Sequence, residues 1–528
     1  MTQQLRIELS DEDRSLLGKT IPQALDWAAT RWGSRRALSF VEAPDVLTYQ
    51  QLRDEVDRIR TGLERLGVSP GERVGIMIPN QVEFPLAWLS VIDAGAVAVP
   101  LNPKYTRREV EFVLNDVEAR WLIATGELLQ SQGLDGVAPV PPENVIVVGA
   151  GAAPRHSFAE LRETEPKPRT HVADPLDLVG IQFTSGTTGT PKGCMLTHTY
   201  WVDNAVWGSA TFDHPQHYLG DPPFYYMQNQ AYFFSCLSGG AELHVTPGLS
   251  RRKFMGWLTD YKIDFAWLGP GMLNYPPSEA DRQLRIKKAP IDEFPPELHR
   301  EFEQRFALQA RELYASTEMH NVTMLPWERD DLVGSGSMGL AFPTRETKVV
   351  DERLNEVPVG QSGELLVRGP GMMLGYWDRP ETNAELMLPD GWFRTGDIVR
   401  KDADGMHYYI GRLRDVIRRS GENIAAVEVE QQISTMPGVE EVAVIPVPDA
   451  DRGEEVKAIV VPRPDTTLTA EQVVAWASER LAKFKVPRYV EFRESLPRLG
   501  SGKIAKPELK AQPPFGEGVI DTKAAVTP

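Results

Sequence analysis

Residues 184–193 constrain the fold of this chain more than any other segment. They read Thr-Ser-Gly-Thr-Thr-Gly-Thr-Pro-Lys-Gly, which packs hydroxyl groups, glycines and one lysine into a single short stretch. Just before them, Val179, Ile181 and Phe183 occupy alternate positions, a pattern that predicts a strand. A glycine-rich loop that leaves a strand can bring its backbone N–H groups close to a phosphate. The segment therefore predicts an α/β fold with a phosphate site at a strand end.

This loop differs from the common P-loop. That template requires a glycine five residues after Gly186, where this chain has Pro191. The hydroxyl groups add hydrogen-bond donors and the lysine adds a point charge. The predicted phosphate-binding residues are Thr184, Ser185, Gly186, Thr187, Thr188, Gly189, Thr190 and Lys192.

The alternation of helix and strand patterns along the chain predicts parallel sheets covered by helices. Apolar residues at helical spacing run from Leu52 to Leu66 and end at Gly67, whereas residues 73–78 and 96–100 are typical of buried strands. A chain of 528 residues is too long for one ordinary core. We therefore expect a large N-terminal α/β domain of parallel-rich sheets with a small β subdomain.

The pattern changes near residue 415. Short strands at 442–445 and 456–461 flank helices, and Thr469 with Gln472 has the spacing of a capping box. These features predict a small α+β domain. The expected domains are residues 1–413 and 414–512, followed by a loose tail at 513–528.

The order of motifs resembles the adenylate-forming superfamily, which includes acyl- and aryl-CoA synthetases, peptide-synthetase adenylation domains and luciferases. The resemblance begins with the loop at 184–193 and continues in order through the following segments: Tyr-Ala-Ser-Thr-Glu at 314–318, Gly-Glu at 363–364, Gly-Tyr-Trp at 375–377, Trp-Phe-Arg-Thr-Gly-Asp at 392–397, Tyr-Ile-Gly-Arg-Leu-Arg-Asp at 409–415, Gly-Glu-Asn-Ile at 421–424, and Gly-Ser-Gly-Lys-Ile at 500–504. One such motif is weak evidence, but the full series in order is specific.

The resemblance implies a role for each matching residue. Lys503 and Thr317 would contact the α-phosphate, Glu318 would bind Mg²⁺, and Asp397 would bind the ribose hydroxyls. Asp415 would be the hinge of the small domain. The remaining nucleotide contacts are expected at Ala289, Pro290, Tyr314, Tyr409 and Arg412, the CoA tunnel at Tyr225 and Gly421, and the acyl pocket at Tyr225, Tyr226, Gln230, Ala315 and Met319.

Some positions depart from the family pattern. Lys287 and Lys288 stand where relatives usually have two glycines beside the adenine, so the backbone there has less freedom. Ala315 replaces a usual glycine near the acyl pocket. Tyr225 replaces a common histidine and would act as a gate without titrating near neutral pH. Apart from Glu318 no metal ligand is predicted, because the histidines lack metal-ligand spacing with either cysteine.

The expected activity is ATP-dependent activation of a carboxylic acid, followed by acyl transfer to CoA with release of AMP and pyrophosphate. An alternative is a stand-alone adenylation enzyme that loads a carrier protein, and a third reading is a non-catalytic nucleotide-binding protein. The formal net charge of −17 argues against a nucleic-acid partner. Neither a secretory signal nor a membrane span is visible in the sequence, which favours a cytoplasmic location.

Overall fold

The structure, a computed structural model, describes residues 4–134, 137–150, 156–184, 191–420, 422–464, 466–498, 503–516 and 518–522. Its helices are α1 (Asp11–Leu16), α2 (Ile21–Trp32), α3 (Tyr49–Leu66), α4 (Glu83–Asp93), α5 (Arg107–Asp116), α6 (Gly126–Ser131), α7 (Phe158–Arg162), α8 (His198–Thr211), α9 (Met227–Gly239), α10 (Phe254–Asp260), α11 (Pro296–Phe306), α12 (Pro380–Leu386), α13 (Ala426–Ser434), α14 (Ala470–Ser478) and α15 (Lys506–Ala511).

The strands of the N-terminal half are β1 (Arg36–Phe40), β2 (Val46–Thr48), β3 (Arg73–Met77), β4 (Val97–Pro100), β5 (Trp121–Thr125), β6 (Val145–Val148), β7 (His156–Ser157), β8 (Leu178–Thr184), β9 (Lys192–Thr197), β10 (His217–Gly220), β11 (Glu242–Val245) and β12 (Lys288–Ile291). Those that follow are β13 (Gln309–Ser316), β14 (His320–Met324), β15 (Ser337–Ala341), β16 (Glu346–Val350), β17 (Ser362–Arg368), β18 (Phe393–Lys401), β19 (His407–Arg412), β20 (Val416–Arg419), β21 (Glu422–Ala425), β22 (Val439–Asp449), β23 (Gly453–Pro462), β24 (Tyr489–Phe492) and β25 (Val519–Asp521).

The chain divides into two compact units. The first comprises Met1–Thr184, Gly193–Glu346 and Arg368–Gly391. The second comprises Ser185–Lys192, Thr347–Val367 and Trp392–Pro528. The domain boundary predicted between residues 413 and 414 stays a prediction.

A seven-stranded sheet in the order β7-β6-β5-β3-β4-β8-β9 forms the core of the first unit. The strand pairs from β7 to β8 are all parallel, as the alternation of helix and strand patterns predicts. The apolar face of α3 is fully buried, and Gly67 ends this helix with a φ of 100°, which a glycine adopts without strain. The expected α/β class is confirmed. The carboxyl end of β8 places Thr184 at the entrance of the predicted phosphate loop.

Two smaller groups of strands complete the first unit. A four-stranded sheet has the order β10-β11-β1-β2, with β10, β11 and β1 parallel. Strands β12 and β13 are parallel, and β13, β14 and β15 follow as antiparallel neighbours. The turn between β13 and β14 carries Thr317 and Glu318.

The second unit contains two sets of strands. Strands β17, β18 and β19 are antiparallel neighbours, and they carry Asp397 and Arg412. The other sheet has the order β21-β20-β23-β24-β25, with β22 paired to β23. Helices α13 and α14 cover it, and the predicted capping box of Thr469 and Gln472 begins α14. The expected α+β character of the C-terminal region is confirmed.

The expectation of a loose tail from residue 513 onward is wrong for the residues of β25. Strand β25 pairs antiparallel with β24, and the Phe515 ring lies 4.9 Å from the ring of Tyr489. Arg488 forms an ion pair with Asp521 at 2.9 Å. The open edge of β24 can accept one more strand, which explains why this segment is ordered. Residues 523–528 lie outside the described residues.

Both cysteines, Cys194 and Cys236, are buried thiols, as expected. Within the parts of the chain that the structure describes, no helix is long and apolar enough to cross a bilayer.

Candidate active site

The predicted Thr-Glu motif is the turn of a β-hairpin. Ser316 pairs with His320 across β13 and β14, so Thr317, Glu318 and Met319 form the three-residue loop between them. His320 has a φ of 57°, the left-handed conformation that such loops use to rejoin the second strand. The hairpin therefore fixes the direction of the chain on both sides of Glu318.

The main-chain carbonyls of this turn are held by neighbouring elements. The hydroxyl of Tyr200, on α8, donates to the carbonyl oxygen of Thr317 at 2.9 Å. The backbone N–H of Met373 donates to the carbonyl oxygen of Glu318, also at 2.9 Å. Tyr200 is fully buried, and burial raises the pKa of its hydroxyl well above the usual value, so this donor remains protonated. The turn is therefore fixed at two successive peptide groups.

The third carbonyl of the turn, that of Met319, binds a buried arginine. Arg345 donates to it from Nε at 3.1 Å and from Nη2 at 2.6 Å. The same guanidinium donates to the side chain of Asn204 and to the carbonyl of Pro370. Burial lowers the pKa of Arg345 to about 10, which still leaves it charged at neutral pH. We call these contacts of Tyr200, Met373 and Arg345 with residues 317–319 the carbonyl clamp.

Among the described residues, the Glu318 carboxylate accepts a hydrogen bond from one side chain. The hydroxyl of Tyr376 donates to Oε1 at 2.7 Å. Tyr376 is only 7% exposed, and its backbone N–H is held by Asn383 at 2.8 Å. Among the described residues, Oε2 of Glu318 receives no hydrogen bond. A rotationally fixed carboxylate with one available oxygen suits a hard divalent cation such as Mg²⁺.

The predicted adenine contacts lie on adjacent strands. Tyr314 is half-buried on β13, whereas Ala289 and Pro290 are buried on β12. The ammonium group of Lys288 bonds the Asp213 carboxylate at 2.6 Å. Lys288 on β12, which replaces a family glycine, therefore forms an ion pair with Asp213.

Three of the residues predicted for the acyl pocket and gate lie at the start of α9 or just before it. The carbonyl of Tyr225 accepts a hydrogen bond from Gln182 on β8 at 2.7 Å, and its ring lies 5.5 Å from that of the exposed Tyr226. Burial, with a smaller effect of Tyr226, raises the pKa of Tyr225 to about 12. Gln230 is fully buried and donates to the carbonyl of Phe224 at 3.0 Å. It therefore supports the segment that carries Tyr225.

The other two residues predicted for the acyl pocket differ in exposure. Ala315 is exposed on β13, and Met319 is 2% exposed. Their roles in the pocket stay predictions.

The predicted ribose ligand lies in the second unit. Asp397 and Arg412 face each other across β18 and β19, and Nε of Arg412 lies 2.9 Å from Oδ1 of Asp397. Asp397 is 2% exposed, and its backbone N–H donates to the Thr395 hydroxyl at 3.0 Å. Tyr409 is half-buried on the same strand as Arg412. The sequence pattern predicted this group, and the structure places its members on two paired strands.

The predicted hinge residue is held by α15. Nζ of Lys510 lies 2.7 Å from Oδ1 of Asp415, and it also donates to the carbonyl of Arg414 at 3.0 Å. Burial acts to raise the pKa of Asp415, but the hydrogen bond from Lys510 and the charge of Lys506 outweigh it and lower the pKa. Lys503 is exposed and lies three residues before α15.

Part of the predicted site lies outside the described residues. This applies to Ser185, Gly186, Thr187, Thr188, Gly189 and Thr190 of the phosphate loop and to Gly421 of the CoA tunnel. The structure describes the ends of this loop, with half-buried Thr184 at the end of β8 and half-buried Lys192 at the start of β9.

The carbonyl clamp was not predicted from the sequence. Tyr376 belongs to a recognised motif, so its position near the site could have been suspected. Tyr200 and Arg345 carry no local signal, because a single tyrosine on a helix and a single arginine after a strand are common. Their roles depend on long-range contacts that only the fold brings together.

Comparison with known proteins identifies the class. A model of the AMP-binding enzyme family matches residues 25–377, and a model of the AMP-binding enzyme C-terminal domain matches residues 428–503. The ATP-bound MatB from Rhodopseudomonas palustris has a TM-score of 0.81 and 27% identity, covering 92% of this chain and 98% of its own.

Two curated relatives extend the match. The long-chain-fatty-acid–CoA ligase of Escherichia coli O157:H7 is 32% identical over 92% of this chain and 93% of its own length. The Rhodococcus jostii (strain RHA1) 3-[(3aS,4S,7aS)-7a-methyl-1,5-dioxo-octahydro-1H-inden-4-yl]propanoyl:CoA ligase is 33% identical over 93% of this chain and 98% of its own length.

The chain belongs to the AMP-binding enzyme family of the adenylate-forming superfamily. It is an acid–thiol ligase that activates a carboxylic acid with ATP to an acyl-adenylate and converts this to an acyl-CoA. The resemblance seen in the sequence and the activity expected from it are thereby confirmed.

Proposed function

We propose that this enzyme activates a predominantly hydrophobic carboxylic acid, cyclic and aromatic acids included, and transfers it to free CoA. The observation that carries the proposed site is the Thr317–Glu318 turn. Its main chain is fixed by the carbonyl clamp, and its carboxylate is oriented by Tyr376. Preorganised groups stabilise developing charge without being reorganised during the reaction.

The first reaction step determines what the protein must supply. The substrate carboxylate attacks the α-phosphorus of ATP in line. The bond from this phosphorus to the oxygen that bridges the α- and β-phosphates breaks, and pyrophosphate leaves. The transition state carries negative charge on the phosphoryl oxygens, so donors and cations must surround it. We assign this role to Thr317 and Lys503 at the α-phosphate and to residues 184–190 with Lys192 at the β- and γ-phosphates.

The magnesium requirement is part of the proposal. Mg²⁺ prefers oxygen ligands and usually binds one or two carboxylates together with substrate phosphates. The carboxylate of Glu318 fits this preference, because one oxygen is held by Tyr376 and Oε2 has no protein donor among the described residues. When bound, the cation would neutralise phosphate charge, and Glu318 would be the residue that holds it.

We assign nucleotide recognition outside the phosphates to two groups of residues. Tyr314 offers a flat aromatic face to the adenine, beside the backbone of Ala289 and Pro290. Asp397 accepts hydrogen bonds from the ribose hydroxyls, and Arg412 is the ion-pair partner of this buried carboxylate. Tyr409 lies on the same strand as Arg412 and completes this group.

The second reaction step needs a different arrangement. The thiol of CoA attacks the carbonyl carbon of the acyl-adenylate, and AMP leaves. Lys503 would occupy space near the reacting atoms that the pantetheine arm requires. We propose that residues from 414 onward rotate about Asp415, which withdraws Lys503 and brings Gly421 to the tunnel beside Tyr225.

Two considerations support the acyl acceptor and the substrate class. Both curated relatives reported above are named as CoA ligases, which favours free CoA over a carrier protein. One is named for a long-chain fatty acid and the other for a propanoate that bears fused rings. The aromatic groups at Tyr225 and Tyr226 are compatible with apolar or ring-bearing acyl chains. The cytoplasm stays the location expected from the sequence.

A two-stage assay tests the proposal. Pyrophosphate exchange with a panel of acids reports adenylation, and acyl-CoA formation reports the complete reaction. The panel should contain acetate, malonate, octanoate, palmitate, benzoate and a bicyclic propanoate. We expect the largest kcat/KM for an apolar or ring-bearing acid with CoA as the acceptor. If acyl transfer required a carrier protein and did not occur with CoA, the assigned acceptor would be wrong.

A further inference from the structure

Two histidines and a glutamate converge on the small sheet of the first unit. Nδ1 of His217 lies 3.1 Å from Nε2 of His244. Oε2 of Glu242 lies 3.8 Å from the first of these nitrogens and 3.7 Å from the second. We call these three residues the His-Glu cluster. The sequence did not predict these residues as a group. His217 is far in sequence from Glu242 and His244 and lies on a different strand, and no cysteine accompanies them.

The strand register explains why these side chains meet. His217 on β10 is paired with Glu242 on the parallel strand β11, so both side chains point to the same face of the sheet. His244 follows Glu242 by two residues and points to that face as well. Ser39 on β1 is paired with His244 and lies on the same face. Three adjacent strands thus contribute to one small polar group.

The spacing of the three atoms matches a transition-metal site. A point equidistant from atoms separated by 3.1, 3.8 and 3.7 Å lies about 2.1 Å from each of them. Zn²⁺ binds imidazole nitrogen at about 2.0–2.1 Å and carboxylate oxygen at about 2.0–2.2 Å. Two imidazoles with one carboxylate is also a donor set that favours zinc and similar cations over Mg²⁺.

The surroundings orient the ligand atoms. The hydroxyl of Ser39 donates to Oε1 of Glu242, which leaves Oε2 toward the two imidazoles. The Asp264 carboxylate accepts from the backbone N–H of His217 at 2.7 Å and fixes the start of β10. The exposed guanidinium of Arg36 lies 4.0 Å from Oε1 of Glu242. The His217 side chain is 32% exposed, so an ion and its remaining water ligands can enter from that side.

One feature limits the expected affinity. A ligating histidine usually donates its other ring N–H to an acceptor. Nδ1 of His244 is buried, and among the described residues it has no hydrogen-bond partner. Loss of such a supporting contact typically weakens binding by about 10- to 100-fold. We therefore expect affinity below that of a fully supported structural zinc site.

We propose that His217, Glu242 and His244 form a binding site for a divalent transition-metal ion, tested with Zn²⁺. The cluster includes the first residues of β10 and β11, whereas the segment with Tyr225 follows the other end of β10. The ion would join two parallel strands and stabilise the folded sheet. This site is separate from the magnesium site assigned to Glu318, and its ligands take no part in the proposed chemistry.

Isothermal titration of the EDTA-treated, nucleotide-free protein with ZnCl₂ tests the site. We expect one equivalent bound by the cluster in the wild-type protein, with at least about tenfold weaker binding after His217→Ala or Glu242→Gln. His156→Ala removes a similarly half-buried histidine from β7 and should leave the affinity unchanged. Substitution with Co²⁺ should add visible absorption bands that disappear in His217→Ala.

Folding must be controlled in the same experiment. Circular dichroism and thermal unfolding in EDTA establish whether each variant is folded, and the half-buried His217 is the position at which alanine should be best tolerated. Zn²⁺ should raise the wild-type melting temperature and leave that of His217→Ala unchanged. Equal Zn²⁺ affinity in wild type and folded His217→Ala would overturn the proposal, as would no Zn²⁺ binding by the wild-type protein.

Discussion

Substitution of Glu318 tests both the proposed metal ligand and the geometry that supports it. Glu318→Ala removes the carboxylate and, with it, the oxygen that accepts a hydrogen bond from the Tyr376 hydroxyl. Glu318→Gln keeps an oxygen acceptor and almost the same volume but removes the charge. Deleting a preorganised electrostatic group typically costs about 2.7–4 kcal/mol in the transition state. We therefore expect both variants to reduce kcat for adenylation by at least about 100-fold.

Tyr376→Phe isolates the contribution of orientation. It removes one hydrogen bond to a charged acceptor, at 2.7 Å, and leaves the carboxylate in place. Such bonds contribute about 1.5–3 kcal/mol. Because the carboxylate itself remains, we expect the lower end of this range, a loss of about tenfold.

Tyr408→Phe is the matched control for Tyr376→Phe. The hydroxyl of Tyr408 also donates to a carboxylate, that of Asp402 at 3.0 Å, in the turn between β18 and β19. It has no role in the proposed site, so we expect a change of about twofold or less, as for most surface substitutions. The assay is pyrophosphate exchange at saturating ATP and acid over a series of Mg²⁺ concentrations.

The double variant Glu318→Ala/Tyr376→Phe completes the test. If the tyrosine acts through the carboxylate, the double variant should be no slower than Glu318→Ala alone. Near-normal exchange by folded Glu318→Ala at saturating Mg²⁺ would refute the metal assignment. Additive losses in the double variant would show that Tyr376 acts independently of Glu318.

Three further predictions concern the half-reactions, the substrate and the pH dependence of stability. Lys503→Ala should lose adenylation but still convert supplied acyl-adenylate to thioester. Asp415→Pro should make adenylate but fail to form the thioester, because proline fixes φ at the hinge. Equal losses in both steps for both variants would contradict the proposed rotation. Apolar or ring-bearing acids should exceed acetate, malonate and amino acids in pyrophosphate exchange, and the reverse order would reject the substrate class. Burial raises the pKa of Glu312 from its usual 4.5 to about 8. Between these two pH values the folded state keeps a proton that the unfolded state has lost. The stability of the fold should therefore fall as pH rises through this window. Glu312→Gln should therefore raise the melting temperature at pH 9 more than at pH 4, and an equal shift at both would refute the assignment.

The elements of the fold that the sequence predicted are those with a strong local pattern. Helix α3 was expected from the spacing of its apolar residues and from Gly67, and it ends at that glycine. Strands β3 and β4 were expected from short apolar runs and β8 from the alternation of Val179, Ile181 and Phe183, and all three lie in one sheet. The pairing of β25 with β24 was not expected, because residues 513–528 lack a strong strand pattern, and β25 pairs with the edge of a sheet that forms from distant residues.

The candidate site was predictable only where motifs name the residues. The motif gave Glu318 and Thr317, and the family order gave Asp397 and Lys503. Neither the motif nor the family order could predict the carbonyl clamp, since Arg345 reaches Met319 only after β14 and β15 have folded between them. The His-Glu cluster was missed for a similar reason. Sequence spacing between ligands is informative on one helix or loop, but parallel strands bring together residues separated by a whole crossover connection.

The contacts around the proposed site differ in how easily they can be broken. Each carbonyl of the 317–319 turn accepts a bond from a donor fixed by the fold, and leaving a buried donor or acceptor unpaired costs about 1–3 kcal/mol. The Asp415–Lys510 ion pair is different, because its side chains are 14% and 27% exposed, so water can replace each partner. Exposed ion pairs contribute about 0.2–1 kcal/mol to stability, and the contribution of a partly exposed pair lies closer to this range than that of a buried pair. An enzyme that catalyses two successive reactions needs a rigid metal ligand and a releasable hinge, and this distribution of contacts supports the roles proposed for Glu318 and Asp415.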